Sequence, residues 1–197
     1  MRFPLFFWVG QKVVTVILCL SNGADAGNML FTLTHRISSH MDLQRFKANL
    51  ALRLFAWRYI PVIGFCAPII EEMNAKALRI RIPLGWRTRN HLGSMYFGAL
   101  ATGADLVGGL LVMEKGRQRR KKVHFAFKDV QGEFLKRPEG DVQFDCAAGE
   151  EIDAMIDESL ASGQRINRPI QVVATCPSLN GDEAMARFVL TLSIKAS

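Results

Sequence analysis

The sequence predicts an α+β fold in which one antiparallel sheet of about five strands wraps around a single long apolar helix. Three observations carry this. The run from Phe97 to Met113, FGALATGADLVGGLLVM, holds one ionisable residue, Asp105. An apolar segment of that length, rich in Ala and Leu, is too long for one strand and reads as a helix buried on nearly all sides. Five other segments alternate apolar and polar residues with the period of a half-buried strand. The last two are joined by Pro177 to Asp182, which contains Asn180-Gly181, a strong hairpin signal.

The elements follow in order along the chain. A helix begins at Asp42, with Leu43, Phe46, Leu50, Leu54 and Trp57 at helical spacing as its core-facing stripe. Arg45, Lys47 and Arg58 are its main charges off that stripe, and it ends before Pro61. Pro61 to Pro68 reads as an apolar connector. Residues 75–83 form the first strand, with Leu78, Ile80 and Ile82 on one face and Arg79 and Arg81 on the other. After the long helix come strands over 123–130 and 141–148. The first of these is read as extensible past Gly132, where a bulge would be natural. Residues 150–160 form a short acidic helix burying Ile152, Met155, Ile156 and Leu160. Strands over 168–176 and 185–195 close the sheet.

Composition places the chain among globular proteins: 197 residues, 49% hydrophobic and 22% charged. The net charge is +7, and five of the six residues after Gly116 are Arg or Lys. That run is either a solvated loop or a phosphate contact through Arg119 and Arg120, because Arg and Lys are the usual partners of nucleotide phosphates. No aromatic platform or recognition helix accompanies it, so nucleic acid is excluded as a partner. Cys19, Cys66, Cys146 and Cys176 show no zinc-ligand spacing and no CxxC. Cys146 and Cys176 fall on apolar strand positions, as small core residues suited to a reducing cytoplasm. The four histidines have no metal-ligand spacing, so no metal is expected. Residues 1–41 read as an N-terminal extension and 42–197 as the domain. Leu5 to Leu20 is apolar but interrupted by Gln11 and Lys12, and Ala24-Asp25-Ala26 looks like a signal-peptidase site. A signal peptide, a membrane anchor and an extension outside the fold all stay open for this part. Any membrane association is expected through residues 5–20 alone.

The chemistry concentrates around Asp105. An unpaired carboxylate in an apolar wall costs several kcal/mol, roughly, unless it is hydrogen-bonded or neutral, and such placement is how general bases are tuned. The bland alternative is an Asp at the helix surface or satisfied by a backbone amide. The preceding residues are Asn90-His91-Leu92-Gly93-Ser94-Met95-Tyr96-Phe97-Gly98. Glycines just before a helix let a backbone approach closely, and the first-turn N–H groups lack intrahelical acceptors. Those donors suit a carbonyl oxygen gaining negative charge. Asp105 lies seven residues beyond Gly98, about two turns deeper.

The run N-x-x-G-S-M-Y-F-G-A-L-A-T-G-A-D, Asn90 through Asp105, resembles the central-helix motif of hotdog-fold thioesterases, above all the phenylacetyl-coenzyme A thioesterase type and related thioesterase-like domains. In that type a motif N-x-x-G-x-x-H-G-G-A is followed six residues on by a catalytic Asp. Gly98 matches the second Gly of the pair and Asp105 the acid. Tyr96 stands where the family has His, and Phe97 stands for the first Gly. Phe134-Leu135-Lys136-Arg137-Pro138-Glu139-Gly140-Asp141-Val142 resembles the family's F-L-x-P…G-D-V stretch. The resemblance covers about residues 43 to 195.

The resemblance implies a hotdog fold, a homodimer or dimer of dimers with sites between subunits, and hydrolysis of acyl-thioesters such as acyl-coenzyme A. In this reading Asp105 activates water or attacks the carbonyl. Gly98 polarises that carbonyl, and Asn90 orients water or the acid. His91, Gly93, Tyr96, Phe97, Arg119 and Arg120 hold substrate, with His91 or Tyr96 assisting in place of the missing His. A thiol leaving group has a pKa near 8.5 and dispenses with a separate general acid. No cofactor is implied. The alternatives are a non-catalytic acyl-thioester or fatty-acyl binding protein and, third, a hotdog dehydratase, for which no H-x-x-x-G-D-like arrangement is present.

Overall fold

The computed structural model describes residues 39–197, with side chains from Leu43 onward. The signal-peptide, anchor and extension readings of the N-terminus lie outside the described residues. Eleven elements follow one another: α1 (Ser39–Tyr59), α2 (Pro61–Cys66), β1 (Ile69–Met73), β2 (Leu78–Ile82), α3 (Phe97–Gln118), β3 (Val123–Phe134), β4 (Val142–Cys146), α4 (Gly149–Ser162), β5 (Ile166–Thr175), α5 (Pro177–Asn180) and β6 (Ala184–Ala196). The strands form one six-stranded sheet in the order β1-β2-β4-β5-β6-β3, every neighbouring pair antiparallel. The long helix α3 lies against one face of it. This is the hotdog arrangement.

The core is built where strand alternation meets the helix. Leu78, Ile80 and Ile82 of β2, Val142, Phe144 and Cys146 of β4, and Leu192 and Ile194 of β6 are fully buried. The helix approaches the sheet through glycines, because aromatic rings stand where their side chains would be. A Cβ on Gly103 would overlap the buried Phe144 ring. Gly108 faces Phe127 and Ile170, and Gly109 faces Phe125. Cys146 and Cys176 are buried, in keeping with their reading as small core residues.

The sequence-based reading is corrected at several places. Leu160, read as part of the buried face of the acidic helix, is exposed, while Ile152, Met155 and Ile156 are buried. The sheet has six strands; β1 does not show in the sequence because Ile69-Ile70-Glu71-Glu72 does not alternate, Glu71 being paired with Arg81 of β2 at 2.7 Å. The connector after Pro61 contains a short helix, α2, with Pro61 in its first turn. The irregularity in β3 falls between Phe127 and Val130, whereas Gly132 pairs regularly with Phe188.

The largest correction concerns α1. Its presumed core stripe is exposed: Leu43, Phe46, Leu50, Leu54 and Trp57 are each about half or more accessible. The face that docks carries Leu52 and Ala56, with Ala48 beside them. Asn49 sets this rotation. Its amide donates to the Ile70 carbonyl at 3.1 Å and accepts from the Ile70 N–H at 2.7 Å, clamping α1 to β1, an outer strand of the sheet.

Candidate active site

The start of α3 is held by a stitched loop. Thr88 donates through Oγ1 to the Pro83 carbonyl at 2.6 Å and accepts the Gly85 N–H at 3.0 Å. Arg89 and Met95 form an isolated antiparallel bridge. Between them Asn90 organises a tight turn. Its N–H donates to the Ser94 carbonyl at 2.8 Å, its Oδ1 accepts the Leu92 N–H at 2.9 Å, and its Nδ2 donates to Ser94 Oγ at 3.1 Å. Gly93 has φ +83°, a left-handed backbone that favours glycine, and closes the turn. Asn90 and Gly93 therefore shape the loop, and the Asn90 amide is occupied inside it. His91 sits exposed on the same turn.

The second sequence stretch meets this loop. The Met95 N–H donates to the Pro138 carbonyl at 2.8 Å, and Arg137 Nη2 donates to the Leu92 carbonyl at 3.0 Å. Asp141 accepts the Leu84 N–H at 2.9 Å and pairs with Arg81. Residues 134–142 thus buttress the helix start. Sequence reading set this stretch beside the motif without seeing that its carbonyl and side chains build the support.

At the helix start, the Tyr96 N–H donates to the Thr88 carbonyl at 2.7 Å, and the Tyr96 carbonyl accepts the N–H groups of Ala99 and Leu100. The N–H groups of Phe97 and Gly98 take no acceptor among the described residues, as expected of a first helical turn. Tyr96 and Phe97 are exposed, with rings 5.2 Å apart, and Phe97 also meets Phe134 edge-on at 6.4 Å. A Cβ on Gly98 would overlap the Tyr96 ring, so that ring lies across the glycine.

Asp105 lies about two turns further on, within about 20° of Gly98 around the helix axis. The expectation of an acid set in a buried apolar wall is corrected in favour of the alternative, an Asp at the helix surface: in the single chain Asp105 is exposed. Only one side of α3 meets the sheet, and Asp105 is on the side left open. Its carboxylate takes no ion pair and no hydrogen bond among the described residues. Desolvation by the apolar helix around it still pushes its pKa above the ordinary value. Thr102 stands between the two positions and donates to the Gly98 carbonyl at 2.7 Å. The buried Cys66 thiol has its pKa pushed up by burial.

Arg119 and Arg120 lie elsewhere. They follow the C-terminal end of α3, roughly 20 Å along the axis from Asp105. Arg119 makes a bidentate pair with Asp157 at 2.7 and 2.8 Å and reaches Asp153 at 3.4 Å. Its charge is committed to α4. Arg120 carries no acidic partner among the described residues. Nor do any three of the described His, Cys, Asp and Glu residues gather as metal ligands.

The family described as "Domain of unknown function (DUF4442)" matches residues 49–181. No curated protein matches the chain. Among solved structures, a protein of unknown function from Chlorobaculum tepidum is similar with TM-score 0.66 at 15% identity, covering 77% of this chain and 96% of its own. A Pseudomonas aeruginosa protein described as a probable thioesterase gives TM-score 0.64 at 21% identity, covering 76% and 96%. A Haemophilus influenzae thioesterase gives 0.50 at 13%, covering 72% and 87%. At these identities the likeness establishes the fold.

Proposed function

The chain belongs to the DUF4442 family and has the hotdog fold, and from that premise we propose that it hydrolyses acyl-thioesters, with acyl-coenzyme A as the first candidate substrate. The observation that carries the proposal is Asp105: an unpaired carboxylate of raised pKa, on the same open helix face as the free N–H of Gly98. A carboxylate so placed is suited to general-base work.

Helix geometry decides how the two groups cooperate. Seven residues separate them, or about 10 Å of rise, too far for one thioester to be served by both within a single chain. A two-fold partner with its α3 running antiparallel brings Asp105 of one copy opposite Gly98 of the other. The unpaired edge of β3 offers the place for that partner. β3 is the last strand of the sheet, twelve residues long, with Val130 and Phe134 exposed. It runs beside α3, since Val123 packs at Gly116, Phe125 at Gly109 and Phe134 at Phe97. The proposed unit is therefore a homodimer, and this chemistry requires no metal or redox cofactor.

In the proposed reaction the Asp105 carboxylate takes a proton from water as the water oxygen attacks the thioester carbonyl carbon. The carbonyl oxygen gains the negative charge and is held by the Gly98 N–H. Collapse of the intermediate breaks the C–S bond, and the proton held by Asp105 leaves with the thiolate. In this proposal His91, Tyr96 and Phe97, all exposed around the start of α3, contact the substrate.

A second reading, binding of acyl-thioesters without turnover, draws on Tyr96, whose ring lies across Gly98. Thiol release from a panel of acyl-coenzyme A compounds separates the two. Turnover supports hydrolysis. Binding without thiol release supports the second reading, and neither outcome refutes the fold.

A further inference from the structure

The exposed stripe of α1 belongs to a larger surface. Trp57 packs its indole against Gly64 of α2, and α2 exposes Val62 and Phe65, which are three residues apart and so share one face of that helix. Phe65 meets Trp86 edge-on at 5.7 Å, and Trp86, 75% accessible, is among the most exposed large hydrophobic residues of the described chain. Contiguous apolar exposure of this extent marks an interaction surface.

Its charge is one-sided. No acidic residue occurs from Leu43 to Ile70, nor from Pro83 to Ala104. Lys47 and Arg58 flank the stripe on one side and Arg53 on the other. Arg87 lies over the Phe65 and Trp86 rings at 5.9 Å from each. None of these four cations has an acidic partner among the described residues. A cavity of about 250 Å3 opens between Arg53, Trp57 and Arg87.

We propose that the α1–α2 face docks on an anionic phospholipid bilayer, with a lipid phosphate seated between Arg53 and Arg87. Three features select this occupant. The apolar side chains crown a convex helix flanked by cations, the arrangement of a helix lying in a membrane interface. Trp57 at its C-terminal end suits the headgroup level. A second copy on the same patch would set the cations against themselves, because a two-fold contact is self-complementary. Membrane contact would thus rest on the folded domain, apart from residues 5–20.

The test is flotation of the full chain with vesicles of phosphatidylcholine alone and of phosphatidylcholine mixed with phosphatidylglycerol. Binding to the mixed vesicles and not to the neutral ones is expected. Arg53→Gln with Arg87→Gln should weaken it about 30-fold. Leu50→Glu with Leu54→Glu should weaken it by about 100-fold or more. All four side chains lie at the surface, so both variants should keep the wild-type thermal transition. The proposal is overturned by absence of flotation on mixed vesicles. It is equally overturned by undiminished flotation of both variants, which would place the contact elsewhere, residues 1–38 included. A smaller assembly for the Leu50→Glu, Leu54→Glu protein in light scattering, without any flotation of the wild type, would assign the face to a second copy. Inorganic phosphate raising the thermal transition of the wild type but not of the arginine variant, again without flotation, would reassign the cavity to a free anion.

Discussion

Replacing Asp105 with Asn separates chemistry from packing, because the amide nearly matches the carboxylate in shape. Loss of a positioned general base costs about 10²–10⁴-fold in rate, or about 3–5 kcal/mol of transition-state stabilisation. The whole loss should fall on kcat, since the Gly98 N–H and the aromatic mouth are untouched. Stability should move the other way. Burial raises the Asp105 pKa, so the folded chain holds that proton more tightly than the unfolded chain does. Stability contributed by the protonated form is present at acid pH and is lost as pH climbs from the ordinary carboxylate range through the raised folded value. Asn does not ionise and escapes that loss. The variant should therefore melt no lower than the wild type at neutral pH, and the difference should close in acid. The assay is thiol release on one accepted substrate, with thermal melts at several pH values. Wild-type turnover by the variant would refute the catalytic role. A variant that melts lower at neutral pH but not in acid would refute the desolvation reasoning, because it would reveal a stabilising partner for the carboxylate.

Four further outcomes are expected. Gly98→Ala forces the half-exposed Tyr96 ring aside; kcat should fall by up to about 10²-fold with little change in melting temperature. Gly103→Ala drives a Cβ into the buried Phe144 ring and should cost about 1–3 kcal/mol, read as a loss of several degrees in the thermal transition. Lys115 is 4% exposed and paired with Asp153; Lys115→Met should cost about 1–3 kcal/mol by denaturant titration, less than a fully buried pair because Arg119 also reaches Asp153. Val130→Arg places a charge on the exposed edge strand and should halve the particle mass in light scattering, and an unchanged mass would move the proposed dimer away from β3.

Much of the fold was legible because its signals are periodic. β2, β4, β5 and β6 alternate through Ile80, Phe144, Val172 and Leu192, and each of those residues is buried. What periodicity does not encode is which of two apolar faces wins. On α1 the stripe of Leu43, Phe46, Leu50, Leu54 and Trp57 outweighs Leu52 and Ala56, yet the smaller face docks. The two hydrogen bonds between Asn49 and Ile70 fix the rotation, and a lone Asn within a helix gives no warning of them. The site was legible as a position and not as an environment. Asp105 was proposed as the one ionisable residue of an apolar run and Gly98 as a glycine at the start of the same helix, whereas the contacts of Thr88 and Pro138 with that start run through a hydroxyl and a carbonyl that no spacing rule reports.

The exposure of Asp105 and the composition of α3 explain each other. A helix apolar on all sides is ordinarily covered on all sides, and α3 is long and apolar enough to cross a membrane by length and composition alone. One sheet covers only one side of it. Gly103 and Gly108 are pressed against Phe144 and Phe127, while Phe97, Asp105 and Met113 stay accessible. The uncovered side is continuous with the outer edge of β3, which has no neighbouring strand among the described residues. A second copy joined at that edge would extend the sheet, cover the apolar side of the helix and strip water from Asp105 in one step. Its pKa would then rise further than in the single chain. The ascending limb of the pH–rate profile should therefore lie above the ordinary carboxylate range in the dimer. It should move down, with activity falling, in the Val130→Arg protein if that protein is monomeric. A monomeric variant with the wild-type profile and rate would show that the acid works without the partner.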